Sequence, residues 1–421
     1  MELQMDRYAA QQNPVDFDHH SADHAANWPS AFAELRANNP RPWSERHGGF
    51  WIATKFKDIV SIGQRPDFFS AHKDYDPVTG AIAGGISIPA IPGLRGVPNE
   101  TASPEWDGVR TFINRRFSPR AVEAFRLKAQ QFAAALIDDV IETGRFDIVE
   151  DFTNPMPALV TMELFGFPLD EWRAFADPFH KIIYTPRDDP EFPNTVRGLD
   201  YFRQRVEEVA ALRRIEPRDD LLSHFANGSI DGKPLDGETL YNLAFNILAG
   251  GVDTTTALTS NTLIHLSRHP EDRERLRSDR ALMPLAREEF VRFFSPIHAL
   301  ARNVVEDVEV DGWSFKKGER VLLAYSSANR DPDVFDDPDR VILDRFPNKH
   351  IGFGAGMHRC VGSFLARIMF EAMINEVLDR IPDYQVVEEE LVVYPTIGNI
   401  NGWVHIPATF TPGTKVGARI E

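Results

Sequence analysis

The chain has 421 residues, 43 % of them hydrophobic and 11 % aromatic, enough apolar material for a large core and too much for a disordered chain. Its formal charge of −17 argues against nucleic acid or an anionic membrane as the main partner, because phosphate recognition needs a field of the opposite sign. No apolar run reaches signal-peptide or membrane length, which reads as a soluble cytoplasmic protein, and the lone cysteine, Cys360, excludes an internal disulfide and any cysteine-rich metal site.

In chain order, residues 50–60 read as a strand running into a helix, with the PDFFSA segment at 66–71 as its exit loop. Residues 74–100 are too rich in Pro and Gly for a helix and too apolar for a solvated linker, so this loop is expected to cover something. Helical periodicity dominates from Glu105 to about Arg277, including a helix over 121–144 stopped by Gly144, with a second loop at 184–197. After Ala286 come another helix, short strands within 307–315 and 319–325, a glycine loop, and a last helix from Cys360 to about Arg380. The fold class is mainly α with small β-sheets, in one domain.

The stretch HIGFGAGMHRCVG at 350–362 places the only thiol beside four glycines. Gly354 and Gly356 free the backbone for positive φ and close approach to a ligand, and Cys360 opens an apolar helix whose dipole would favour a thiolate. A buried filler cysteine after a plain turn is the alternative. The spacing of Phe353, Gly356, Cys360 and Gly362 resembles the haem-binding loop of the cytochrome P-450 family, FxxGxxxCxG. The resemblance implies that Cys360 is the thiolate ligand of the iron of haem b, with Gly354 against the porphyrin and His358 facing a propionate.

The helix at 243–266 carries Gly250, Gly251, Asp253 and Thr254–Thr256 mid-length. Two glycines there cost about 2 kcal/mol relative to alanine, and Thr254 can bond back to the Gly250 carbonyl. Either a functional distortion or a close helix crossing explains such a sequence. GGVDTT is similar to the family's signature on the oxygen side of the haem. The resemblance implies a kinked helix with a groove for dioxygen, Thr254 bonding the oxygen and Asp253 relaying protons to it from bulk water.

Glu289 and Arg292 stand three apart, ordinarily a surface ion pair. With the downstream DRF at 344–346 they resemble the family's ExxR helix, which implies a buried structural network of Glu289, Arg292 and Arg345. The haem propionates require donors, and Arg110, Arg302 and His358 are candidates. Trp106 stands where bacterial members usually have His, so it would keep a hydrogen bond and lose a charge. Arg115, Arg116, Arg120, Arg359 and Arg367 suggest a docking patch for an acidic electron donor. By the same resemblance the substrate pocket takes in Ile86, Ile88, Ile91, Leu94, Asn246, Ala249, Ile297, Leu300 and Ile400, with Arg95, Arg187 and His298 as polar anchors.

The resemblance runs from about residue 28 to 410, implying a single triangular helix-rich catalytic domain with an extension at 1–27 and a tail at 411–421. It implies a monomeric haem-thiolate monooxygenase that hydroxylates or epoxidises an apolar small molecule such as a terpenoid or aromatic. The oxidant would be O₂, with electrons from NAD(P)H through an external [2Fe–2S] ferredoxin and ferredoxin reductase. A haem-binding ligand sensor and a peroxide-driven oxidase are the alternatives, and an intact Asp253–Thr254 pair argues against both.

Overall fold

The computed structural model describes residues 13–39, 41–76, 79, 82–91, 95–186 and 189–420. Among them are eleven helices of eight or more residues: α1 (Ala22–Asn38), α2 (Phe56–Gly63), α3 (Glu105–Asn114), α4 (Arg126–Val140), α5 (Pro155–Phe165), α6 (Trp172–Tyr184), α7 (Phe192–Ile215), α8 (Gly237–Arg268), α9 (Pro270–Ser278), α10 (Met283–Phe294) and α11 (Ser363–Arg380). Local chemistry sets several ends. The Ser21 hydroxyl accepts the His24 N–H at the start of α1, and the Asp236 carboxylate accepts the Thr239 N–H at the start of α8. The main core gathers side chains of α4 to α8, α10 and α11, including Phe132, Met156, Phe175, Phe202, Leu243, Phe290 and Phe370.

One sheet of six short strands stands against this helical body: β1 (Asn13–Val15), β2 (Pro42–Ser44), β3 (Phe50–Ala53), β4 (Phe69–Ser70), β5 (Leu300–Val304) and β6 (Arg320–Leu323), in the order β1-β2-β3-β6-β5-β4. β3 and β6 run parallel, with Trp51, Ile52 and Ala53 opposite Val321, Leu322 and Leu323. The mainly helical fold with small sheets is as expected. No described helix is long and apolar enough to cross a membrane.

Several expected boundaries move. The exit loop at 66–71 contains β4, and residues 73–75 and 82–84, expected as broken loop, form a hairpin. The helix expected over 121–144 is a short turn at Pro119–Glu123 followed by α4, and Gly144, at φ +71°, turns the chain into a strand at Arg145–Asp147. The second loop, expected to run to 197, ends before Phe192, because Pro193 sits in the first turn of α7, where its missing N–H costs nothing. The last helix starts at Ser363, three residues beyond Cys360. The boundary expected at residue 28 falls inside α1, and β1 pairs with β2, so residues 13–15 of the expected N-terminal extension belong to the sheet and residues 22–27 to α1. The C-terminal tail is held likewise, with the N–H groups of Val416, Gly417 and Ala418 on the Asp138 carboxylate.

Candidate active site around Cys360

The cysteine loop is fastened from both sides. The Cys360 N–H donates to the Phe353 carbonyl at 2.8 Å, closing the loop, and the Gly354 N–H donates to Ile351. Both Gly354 and Gly356 have positive φ, as the sequence suggests. They serve different ends. A Cβ on Gly356 would lie 1.9 Å from the Gly63 carbonyl, so this glycine lets the loop press on the end of α2. Gly354 and Gly362 line an internal cavity, and a Cβ on either would meet nothing within 3.5 Å. Cys360 opens into the same cavity. Burial pushes its thiol above the ordinary value, opposed by the Gly362 N–H and by Arg110, Arg367 and Arg359.

α8 forms the facing wall. It runs without interruption through Gly250 and Gly251, and the Thr254 hydroxyl donates to the Gly250 carbonyl at 2.7 Å. The two glycines divide the explanations offered for them. A Cβ on Gly251 would crowd the Thr161 hydroxyl of α5 at 3.1 Å, a close helix crossing, whereas Gly250 faces open space in the cavity. Thr254 lines the cavity. Asp253 does not, for it is fully buried on the other side of α8, where its Oδ1 meets His180 Nδ1 of α6 at 2.7 Å.

Behind the cysteine loop, Glu289 and Arg292 are fully buried. Glu289 accepts two bonds from Arg292 at 2.7 and 2.8 Å, one from Arg345 at 2.9 Å, and others from the Ile342 N–H and the Asn348 amide. Arg292 also donates to the carbonyls of Asn329, Pro338 and Arg340, so all five of its N–H groups are used.

His358 and Arg302 line the cavity, and Trp106 and Arg110 pack in turn beside His358. The Trp106 and His358 rings meet edge to face at 5.7 Å, and the Arg110 guanidinium lies 5.7 Å above the indole. Trp106 Nε1 and His358 Nδ1 are both buried with no hydrogen-bond partner. Arg110 and Arg302 each donate to one backbone carbonyl, of Arg359 and Ala301. Burial, with the charges of Arg302 and Arg110, pushes His358 down to about 3, so its ring is neutral there.

Residues 170–381 match the family described as Cytochrome P450. A Bacillus subtilis relative, polyketide biosynthesis cytochrome P450 PksS, is 31 % identical over 284 residues, 67 % of this chain and 70 % of the relative. The chain belongs to the cytochrome P450 family. A steroid C26-monooxygenase of Mycobacterium tuberculosis is 28 % identical over 92 % of this chain and 95 % of its own length. The solved structure of Mycobacterium marinum cytochrome P450 CYP268A2 in complex with pseudoionone superposes with a TM-score of 0.86 at 26 % identity, covering 94 % of this chain and 99 % of that one. The protein is thus a P450 monooxygenase, an oxidoreductase that incorporates molecular oxygen, and its cofactor is haem b.

The residues present fit that group. The cavity between α8 and the cysteine loop offers a thiol, two open glycine surfaces, and the lining donors His358 and Arg302, with Trp106 and Arg110 packed next to His358, the chemistry that two buried carboxylates require. Cys360 would hold the iron, Gly250, Phe353, Gly354 and Gly362 would flank the ring, and Trp106, Arg110, Arg302 and His358 would take the propionates.

Other expected site residues lie elsewhere. Ile86, Asn246, Ile297 and Leu300 line the cavity, joined by Asn99 and Ile247. Ile88 is instead buried against Phe17, Trp28 and Phe32, Ile91 is 39 % exposed on the surface, Ile400 sits one layer back behind Ile297, and Ala249 packs into the helical core. His298 is a core residue bonded to His24 and Ser326, and Arg95 pairs with Glu105. Leu94 and Arg187 lie outside the described residues. Of the five docking arginines, Arg367 is tied to Glu288 at 2.6 Å and Arg116 to Asp219 at 2.7 Å, which leaves Arg115, Arg120 and Arg359 exposed. His180 and Tyr394, which enclose Asp253, were not anticipated, since 73 and 141 residues separate them from it and no local spacing connects them.

Proposed function

We propose that the protein inserts one oxygen atom of O₂ into a C–H or C=C bond of an apolar small molecule, with Cys360 as the iron ligand and Thr254 and Asp253 serving the proton traffic. When bound, the haem supplies dioxygen activation. The observation that carries the reading is that Cys360, Thr254 and His358 line one cavity, and that His358 Nδ1 and the Nε1 of Trp106, whose ring packs on His358, are both buried without partners. Thr254 holds its hydroxyl on the Gly250 carbonyl and so presents its oxygen to the cavity as an acceptor. Asp253 holds a proton position on the opposite face of α8. The Glu289–Arg292–Arg345 network fixes α10 behind the cysteine loop.

The substrate wall is Ile86, Ile247, Pro296, Ile297 and Leu300, with Asn99 and Asn246 as polar members, which favours a terpenoid, steroid-like or aromatic lipophile oriented by few hydrogen bonds. Electrons come from NAD(P)H through a [2Fe–2S] ferredoxin and its reductase, docking by charge on Arg115, Arg120 and Arg359. The Arg110 bond to the Arg359 carbonyl ties α3, which Arg115 follows, to the cysteine loop that carries Arg359. The first test is the difference spectrum of the dithionite-reduced protein with and without carbon monoxide. A strongly red-shifted Soret band supports the reading. A band at the position of histidine-ligated haem, or its persistence in Cys360→Ala, overturns it.

A further inference from the structure

His180 and Asp253 form a buried acid–base pair on the side of α8 away from the cavity. Their side chains are 4 % and 1 % exposed, and Nδ1 and Oδ1 lie 2.7 Å apart. Tyr394 places its hydroxyl 3.3 Å from the same Nδ1, and Tyr184, half-buried at the end of α6, stacks on Tyr394 at 5.3 Å and meets the imidazole edge at 5.3 Å. Each partner keeps one open atom: His180 Nε2 and Asp253 Oδ2 are both buried with no partner. A purely structural pair would be expected to satisfy such atoms, as Glu289 and Arg292 do. One open nitrogen and one open carboxylate oxygen, joined by a short bond, make a path with an inlet and an outlet for a proton.

We propose that His180 is a positioning residue that keeps Asp253 supplied with protons. This rests on the assignment of Asp253 to the proton traffic. A proton taken up at the open Nε2 makes the ring an imidazolium, which gives its Nδ1 proton to Oδ1, leaving an imidazole protonated on Nε2 and a neutral carboxylic acid. The acid hands a proton on toward Thr254, and return of the ring proton from Nε2 to Nδ1 resets the pair. Only N–H and O–H bonds form and break, so no oxidant or reductant is consumed. The charges facing the imidazole are those of Asp253, Glu150 and Asp177, with Tyr184 and Tyr394 as the neutral titratable neighbours. Burial opposes protonation of the ring, yet the bond to Asp253 and these carboxylates outweigh it and raise its pKa, so the ring keeps its proton to higher pH than an ordinary imidazole.

The test uses holoenzyme with NADPH, a plant-type [2Fe–2S] ferredoxin and its reductase, and pseudoionone as probe, with oxygen uptake followed across neutral and alkaline pH. His180→Asn keeps an amide N–H where Nδ1 stands and cannot be protonated. Wild-type uptake should fall as pH rises through the His180 pKa, while H180N should be slower by about tenfold and flat over the same range. Turnover driven by hydrogen peroxide, which brings its own protons, should be equal in the two. A second readout needs neither turnover nor a stable variant at position 180: ¹³C shifts of the His180 ring in the carbonyl complex should titrate above the ordinary histidine range, and Asp253→Asn should lower that titration. H180N with the wild-type pH profile, or a His180 ring indifferent to D253N, overturns the proposal. A wild type that takes up no oxygen with NADPH overturns the proposed function instead.

Discussion

Two buried acid–base clusters stand on opposite sides of the cavity, and they are built differently. Around Glu289, all five N–H groups of Arg292 are matched, and the carboxylate also takes Arg345, Asn348 and a backbone N–H. Around Asp253, one short bond to His180 is accompanied by an unpartnered atom on each residue. A saturated cluster can only hold, because a change at any member strands a buried charge. An unsaturated cluster can change its proton count, since an open atom is where a proton can arrive or leave.

The largest way to break the comparison is on the saturated side. Arg292→Ala should cost about 3–5 kcal/mol by stranding Glu289 beneath the loop, and the urea unfolding midpoint measured with haem retention should fall accordingly. Next, Thr254→Ala should leave the fold within about 0.5 kcal/mol of wild type while diverting most reducing equivalents to peroxide, read as peroxide formed per NADPH oxidised. Unchanged coupling would remove Thr254 from the proton traffic.

Acid stability sharpens the contrast further, because histidines of opposite sign sit in the two halves. His180 has a raised pKa in the folded state, so its contribution is fully present below about 6.5 and is lost as pH rises through the raised value. His24 is lowered to about 4 by burial, and His19 and His298, buried beside it, are also held down. The unfolded chain then binds more protons than the folded one, so these residues should drain stability as pH falls from about 6.5 to about 4. Urea midpoints across that range should drop in wild type and drop less in His24→Gln. The smallest effect concerns docking. Arg115→Glu and Arg120→Glu should weaken reduction by a ferredoxin a few-fold at low salt and leave stability unchanged, whereas Arg367→Glu should destabilise by breaking its bond to Glu288.

What the sequence disclosed follows from distance along the chain. The cysteine loop and the Gly250–Thr254 turn are local patterns found where local spacing puts them, whereas the Glu289–Arg292 spacing alone suggests a surface pair and its burial was implied only by the family resemblance. Arg345 joins that pair from a separate segment and was reached through the family resemblance rather than through spacing. The orientation of Asp253 was not legible, since it depends on a histidine from another helix. Ile86 and Ile88 show a second limit. Two residues apart in an irregular segment, they have the same apolar chemistry, and only packing puts one at the cavity and the other against Phe17 and Trp28. The pairing of Arg367 with Glu288 and of Arg116 with Asp219 was not legible for the same reason, as both carboxylates come from remote segments.

The parallel pairing of residues 51–53 with 321–323 has a consequence for biosynthesis. At ordinary translation rates, roughly 15 to 50 s pass between synthesis of the first strand and synthesis of its partner. During that interval β3 has an unpaired edge, the kind that invites pairing with another nascent chain. The strands of this sheet are two to five residues long, which leaves little edge to capture. Their brevity therefore protects the growing chain until residues 321–323, in its final third, are made and can pair with residues 51–53.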